Sequence, residues 1–80
     1  MKNVSKILRD ARERQGLKQV DVAKVFKYKS AQYVSNWERG LASPPFDKLP
    51  KLLKTLGIPR TKFTAAYLDD CRRDLEQCFK

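Results

Sequence analysis

Apolar residues along the chain recur at helical spacing, and no stretch alternates in the manner of a strand. Val4, Ile7, Leu8 and Ala11 stand at i, i+3, i+4 and i+7, which predicts a first helix with one buried stripe. Asn3 is the expected cap at its start, and Gly16 the left-handed residue at its end. Val22, Ala23 and Phe26 predict a short second helix from about Gln19 to Phe26, with Asp21 placed to suit the positive end of its dipole. Ser30 is the expected N-cap of a third helix running to Gly40, with Val34, Trp37 and Leu41 facing inward. Ser43-Pro44-Pro45 then breaks the chain. Leu49, Leu52, Leu53 and Leu56 share one face of a fourth helix, which tolerates Pro50 in its first turn and stops at Gly57. Pro59 opens a fifth helix that reaches Phe79.

These elements predict an all-α fold of five helices with short connections and an extended C-terminal helix. Eighty residues suit a single domain. Residues 1–58 are expected to form its core, and residues 59–80 a helix for packing and dimerisation. Two cysteines are too few to staple it, so apolar packing has to carry stability. Eighteen Lys and Arg against nine Asp and Glu give a net charge of +9, a surplus that attracts polyanions and neutralises phosphates. A polybasic membrane-binding surface would give the same count, but the last helix is too acidic at Asp69-Asp70 for that role. No long apolar run and no signal-like N-terminus is present, which predicts a soluble, cytoplasmic protein. The chain has no histidine, no glycine-rich phosphate loop and no nucleophile–base pair, so neither an enzyme nor a cofactor is expected. Two thiolates alone complete no metal site, and none is expected.

Two short helices joined by a few residues form a helix-turn-helix candidate at residues 19–40. On its second helix, Gln32, Asn36 and Arg39 stand at i, i+4 and i+7, opposite Val34 and Trp37, with Tyr33 and Ser35 beside them. Base-edge recognition uses such side chains: Gln or Asn bonds adenine through two groups, and Arg bonds guanine or phosphate. A solvated face carries the same residue types, and polarity alone does not separate the two. Trp37 belongs with the core by its position. The hydroxyls of Tyr28 and Tyr33 are each open to a phosphate.

From Ile7 to Leu56 the chain resembles the lambda-repressor and Cro-like (XRE-type) helix-turn-helix domains. The resemblance runs through Leu8-Arg9, Arg12, Gly16-Leu17, Gln19, Val22-Ala23, Phe26, Val34 and Pro44, and is most specific in Ser35-Asn36-Trp37-Glu38-Arg39-Gly40. It implies binding to double-stranded operator DNA, commonly as a homodimer, with the second helix of the motif in the major groove. On matching positions, Gln32, Tyr33 and Asn36 become base-contacting candidates. Lys18, Gln19, Lys29, Ser30, Arg39 and Ser43 become candidates for the phosphate backbone. Arg12 and Glu38 match a structural pair linking the first and third helices, and Glu38, close to the core-facing side, needs such a partner. Three departures stand out. The turn Lys27-Tyr28-Lys29-Ser30 is one residue longer than the family's and lacks its common glycine, which leaves the register of the recognition helix open by one residue. Lys18 replaces a capping threonine, and Ala31 offers only a methyl contact.

On the fifth helix, Phe63 and Tyr67 are expected to pack on the domain, and Leu75, Cys78 and Phe79 to form a self-association surface. Cys71 and Cys78 lie about 10 Å apart along the helix, too far to bridge each other. They are expected to be small buried hydrophobes. The function expected is a transcriptional regulator, bacterial or phage-encoded, repressing by occupying a palindromic operator. The alternative is an antitoxin-type or other protein-interaction module on the same fold.

Overall fold

The computed structural model describes residues 1–80, and the chain is all-helical, without strands. Five helices follow one another: α1 (Lys2–Arg14), α2 (Gln19–Val25), α3 (Gln32–Glu38), α4 (Leu49–Leu56) and α5 (Arg60–Cys78), with a single 3-10 turn at Phe46–Lys48 before α4. α1 packs against α3, α4 and α5, and α2 packs against α3. The core gathers Val4, Leu8 and Ala11 of α1, Val22 and Ala23 of α2, and Val34 and Trp37 of α3. Leu52, Leu53 and Leu56 of α4, Ile58, and Phe63 of α5 complete it. These follow the helical stripes predicted for α1, α2 and α4, with Ile7, Phe26 and Leu49 of those stripes half-buried against the core. Pro50 lies in the first turn of α4, where its missing N–H leaves no helical bond unmade.

The start of α1 differs from expectation. Asn3 is not the cap, because it lies inside the helix. The orphan donors of the first turn are met from the other end of the chain: Asn3 N–H donates to Asp70 Oδ1 at 3.0 Å, and Val4 N–H to Asp70 Oδ2 at 2.8 Å. The Asn3 side chain donates to Asp69 Oδ2 at 2.8 Å. A carboxylate both accepts these bonds and complements the positive end of the α1 dipole. Asp70 is only 2% exposed, and the two bonds offset the cost of burying its charge.

Four helices end in the same way. In each, a residue just past the last helical turn has positive φ and a pair of reverse hydrogen bonds closes that turn. Gly16, Gly40 and Gly57 fill that position in α1, α3 and α4, but in α2 it is Lys27, with φ 59°. Lys27 N–H donates to Lys24 O and Tyr28 N–H to Ala23 O, both at 3.0 Å. An L-residue is strained there, so the turn 26–31 is set by something stronger than local preference.

Three further expectations are corrected. α3 starts at Gln32 with Ala31 as N-cap, so Ser30 sits one residue too early and its hydroxyl accepts the Gln32 N–H at 3.3 Å. Leu41 does not pack inward; it is 64% exposed, because α3 ends at Glu38 and Gly40 turns the chain off the helical path. Cys71 and Cys78 are exposed thiols, not buried ones, because α5 outruns the core and every side chain from Cys71 to Lys80 is exposed.

Asp70→Ala is expected to lower the unfolding free energy by about 2–3 kcal/mol, through removal of two charge-assisted bonds at a helix terminus. Thermal unfolding should show a clear fall in Tm, while Asp74→Ala, an exposed carboxylate 3.6 Å from the Met1 ammonium, leaves Tm nearly unchanged. Equal effects contradict the capping role. Lys27→Gly relieves about 1–2 kcal/mol of left-handed strain against about 0.5–1 kcal/mol of added chain entropy. A rise in Tm of a few degrees is expected, and a fall contradicts the strain at Lys27.

Candidate nucleic-acid interface

Arg12 projects from α1 into the junction of α2 and α3. Its Nε donates to Glu38 Oε2 at 2.7 Å and its Nη2 to Glu38 Oε1 at 3.0 Å, a two-point ion pair. Its Nη1 donates to the carbonyl of Leu17 at 2.8 Å. Gln19 Nε2 donates to Glu38 Oε1 at 3.1 Å. The side chains of Arg12 and Glu38 are 14% and 4% exposed. Such a pair is net favourable only when its remaining donors and acceptors are also met, which the Leu17 carbonyl and the Gln19 amide do. The hydrogen bond to Glu38 raises the Arg12 pKa above its ordinary high value, with burial opposing, so the guanidinium stays charged. The network fixes α3 against α1 and the N-terminus of α2.

The structure brings Gln32 and Asn36 together on the outer side of α3, with Gln32 Nε2 donating to Asn36 Oδ1 at 2.9 Å. Each amide thereby spends one group on the other. Gln32 Oε1, an acceptor, and Asn36 Nδ2, a donor, remain free for the donor–acceptor edge that adenine shows in the major groove. Tyr33, 58% exposed, stands beside them and stacks on Tyr28 with ring centroids 4.7 Å apart.

Tyr28 anchors the turn, a role sequence reasoning missed. Its ring lies 5.8 Å from Phe26 and 6.1 Å from Trp37, and Lys48 Nζ sits 5.7 Å from the centroids of both Phe26 and Tyr28. Burial pushes the Tyr28 phenol above its usual pKa. Aromatic packing of this kind is worth about 0.5–1.5 kcal/mol per pair beyond its buried area, enough to hold Lys27 in its strained conformation. The signal in the sequence was the spacing of Phe26, Tyr28, Tyr33 and Trp37 across the turn.

The remaining candidates are placed around this unit. Lys18 is the N-cap of α2; it has no side-chain acceptor, so Asp21 closes the turn alone by accepting the Lys18 N–H at 2.8 Å. Gln19, beside it, is half-buried and engaged with Glu38, keeping a second amide N–H. Lys29 and Ser30 are exposed in the turn, and Arg39 and Ser43 are exposed after α3. Lys18, Lys24, Lys27, Lys29 and Arg39 have no acidic partner. By contrast, Arg72 and Arg73 on α5 are paired with Asp69 and Glu76. Uncompensated cations thus line the motif, and others stand on α1, α4 and the start of α5. No group of three or more His, Cys, Asp or Glu side chains is placed to hold a metal ion, and no helix is long and apolar enough to cross a membrane.

The family model described as helix-turn-helix matches residues 8–63, from the middle of α1 to the first turn of α5. The chain belongs to this family, the lambda-repressor and Cro-like (XRE-type) helix-turn-helix domains. No curated protein and no solved structure matches the chain. Members of the helix-turn-helix family are DNA-binding regulators rather than enzymes, and this protein is a DNA-binding regulator in that general sense.

Glu38→Ala removes both oxygens from Arg12 and leaves a largely buried guanidinium unpaired, with an expected destabilisation of about 3 kcal/mol. Urea unfolding should show a lower midpoint at unchanged slope. An unchanged midpoint contradicts the structural weight given to the pair.

Proposed function

We propose that the protein is a sequence-specific transcriptional repressor that lays α3 into the major groove of a palindromic operator as a homodimer. The Gln32–Asn36 pair carries this reading. Two amides locked to each other lose little further freedom on binding and present one acceptor and one donor at fixed spacing. Gln32, Asn36 and Tyr33 read base edges in this account, while Lys18, Gln19, Lys29, Ser30, Arg39 and Ser43 hold the phosphates on either side. Backbone N–H groups at the start of α2 add to the Gln19 contact. Repression by occlusion of the operator is the proposed mode of action of the DNA-binding unit of residues 1–58, acting in the cytoplasm of a bacterium or encoded by a phage.

Dimerisation through α5 is supported by its surface. Thr64, Leu68, Cys71, Leu75 and Cys78 recur at spacings of four and three and are all exposed, on a different face from Phe63, Tyr67 and Asp70. That is the seam of a helix pair, and a two-fold dimer matches a palindromic site.

Asn36→Ala is expected to leave Tm unchanged and to weaken binding to the preferred duplex by about 1–3 kcal/mol, with no change on random duplex. Fluorescence anisotropy on the two duplexes measures this, and equal weakening on both contradicts base reading. Leu75→Asp is expected to convert dimers to monomers in sedimentation velocity. A monomeric wild-type protein contradicts the α5 interface.

A further inference from the structure

Between α1 and the end of α3 lies an open cleft of about 580 Å³ whose walls include Lys2, Lys6 and Arg9 on one side and Glu38, Arg39 and Gly40 on the other. Lys2, Lys6 and Arg9 stand at i, i+4 and i+7, so they form one ridge of like charge on α1. That arrangement is locally unfavourable. Like charges at this spacing repel, and Lys2 lies in the first turn of α1, which has no acidic residue of its own and whose dipole is met by Asp70 of α5. Local compensation is slight: Lys2, Lys6 and Arg39 have no ion-pair partner, and Arg9 meets only the exposed Glu13 at 3.7 Å. Glu38, the one carboxylate in the wall, already accepts from Arg12 and Gln19 and faces them. The Met1 ammonium, also at the cleft, is drawn toward Asp74. The cleft is therefore a cationic trough, continuous with α3 at Glu38 and Arg39.

We propose that this cleft is a second anion site that takes the sugar-phosphate backbone of the same duplex, with Lys2, Lys6 and Arg9 contacting phosphates outside the bases read by α3. The proposal rests on the DNA-binding reading above and adds to it a path of phosphate contacts along α1. A helix in a groove about 12 Å wide has a phosphate strand on each flank. Lys18 and Gln19 serve one flank, and Arg39 with the α1 ridge serves the other. Three cations held at a fixed helical spacing reach successive phosphates without ordering a loop.

The test compares two triple variants of equal charge in the full chain. One is Lys2→Gln, Lys6→Gln and Arg9→Gln. The other is Lys54→Gln, Arg60→Gln and Lys62→Gln, three exposed cations on α4 and α5. Affinity is measured across a salt series on a long duplex carrying the preferred site and on a random duplex. The cleft variant should keep or raise its Tm. Every phosphate that is no longer neutralised takes about 0.9 from the slope of log affinity against log salt, so a reduction of about 2–3 is expected for the cleft variant, equally on both duplexes. Affinity near physiological salt should fall about tenfold or more. The control should keep the wild-type slope. Equal reductions in both variants show that net charge alone acts and overturn the site, as does an unchanged slope in the cleft variant. If the wild-type protein binds neither duplex, the DNA-binding reading itself falls and takes this site with it.

Discussion

The Arg12 guanidinium stands where α1, the α1–α2 loop, α2 and α3 meet, and the orientation of α3 depends on it. α3 spans only Gln32 to Glu38, about two turns, and isolated helices of that length do not hold together in water. Val34 and Trp37 supply its apolar anchor, but two neighbouring apolar contacts leave the helix free to roll about its axis. The two-point bond from Arg12 to Glu38 removes that freedom, because a planar guanidinium meets a carboxylate in one geometry. Burying the two charges is costly, so the pair adds more to definition than to stability. Once Glu38 is fixed, Asn36 is fixed two residues earlier, and Gln32 one turn before that.

The opposite end of the domain is tied by a second charged contact. Asp70 joins the middle of α5 to the first turn of α1, so the chain closes on itself through a long-range cap. That closure sets α1 in the position from which Arg12 reaches Glu38. It also divides α5. Up to Asp70 the helix is part of the core; beyond it the apolar side chains are left exposed, which frees Leu75 and Phe79 for another surface.

Much of the fold was legible because α1 and α4 carry apolar stripes whose period fits one structure only. Reading by period fails where a residue's role comes from a distant element. Asp70 looked like part of an acidic surface, although its place one turn after Tyr67 and two after Phe63 put it on the inward side of α5. No local pattern says that an inward carboxylate will cap a helix some 67 residues away. Leu41 was misplaced for the reverse reason: helical spacing was extended past a glycine that had already ended the helix. The cysteines were misjudged by residue type, since how far α5 outruns the core depends on how the other helices pack. The interface was legible in part. That Glu38 needs a partner follows from its nearness to the core; Arg12 as that partner came from the family pattern, not from spacing. The Gln19–Glu38 bond and the Gln32–Asn36 lock depend on side-chain directions that a sequence does not display. The unusual turn is resolved by aromatic packing, with Tyr28 between Phe26 and Trp37 doing what a glycine does elsewhere, at the cost of strain at Lys27.

The central claim is that α3 reads bases through Gln32 and Asn36 while held rigidly from behind. The most direct measurement is selection of bound duplexes from a randomised library, run in parallel for the wild-type protein and Asn36→Ala. The account predicts one recurring, two-fold symmetric sequence for the wild type, and for the variant the same sequence with preference abolished at one symmetric pair of positions. Enrichment of no sequence, or of an identical sequence with undiminished preference in both, would contradict it.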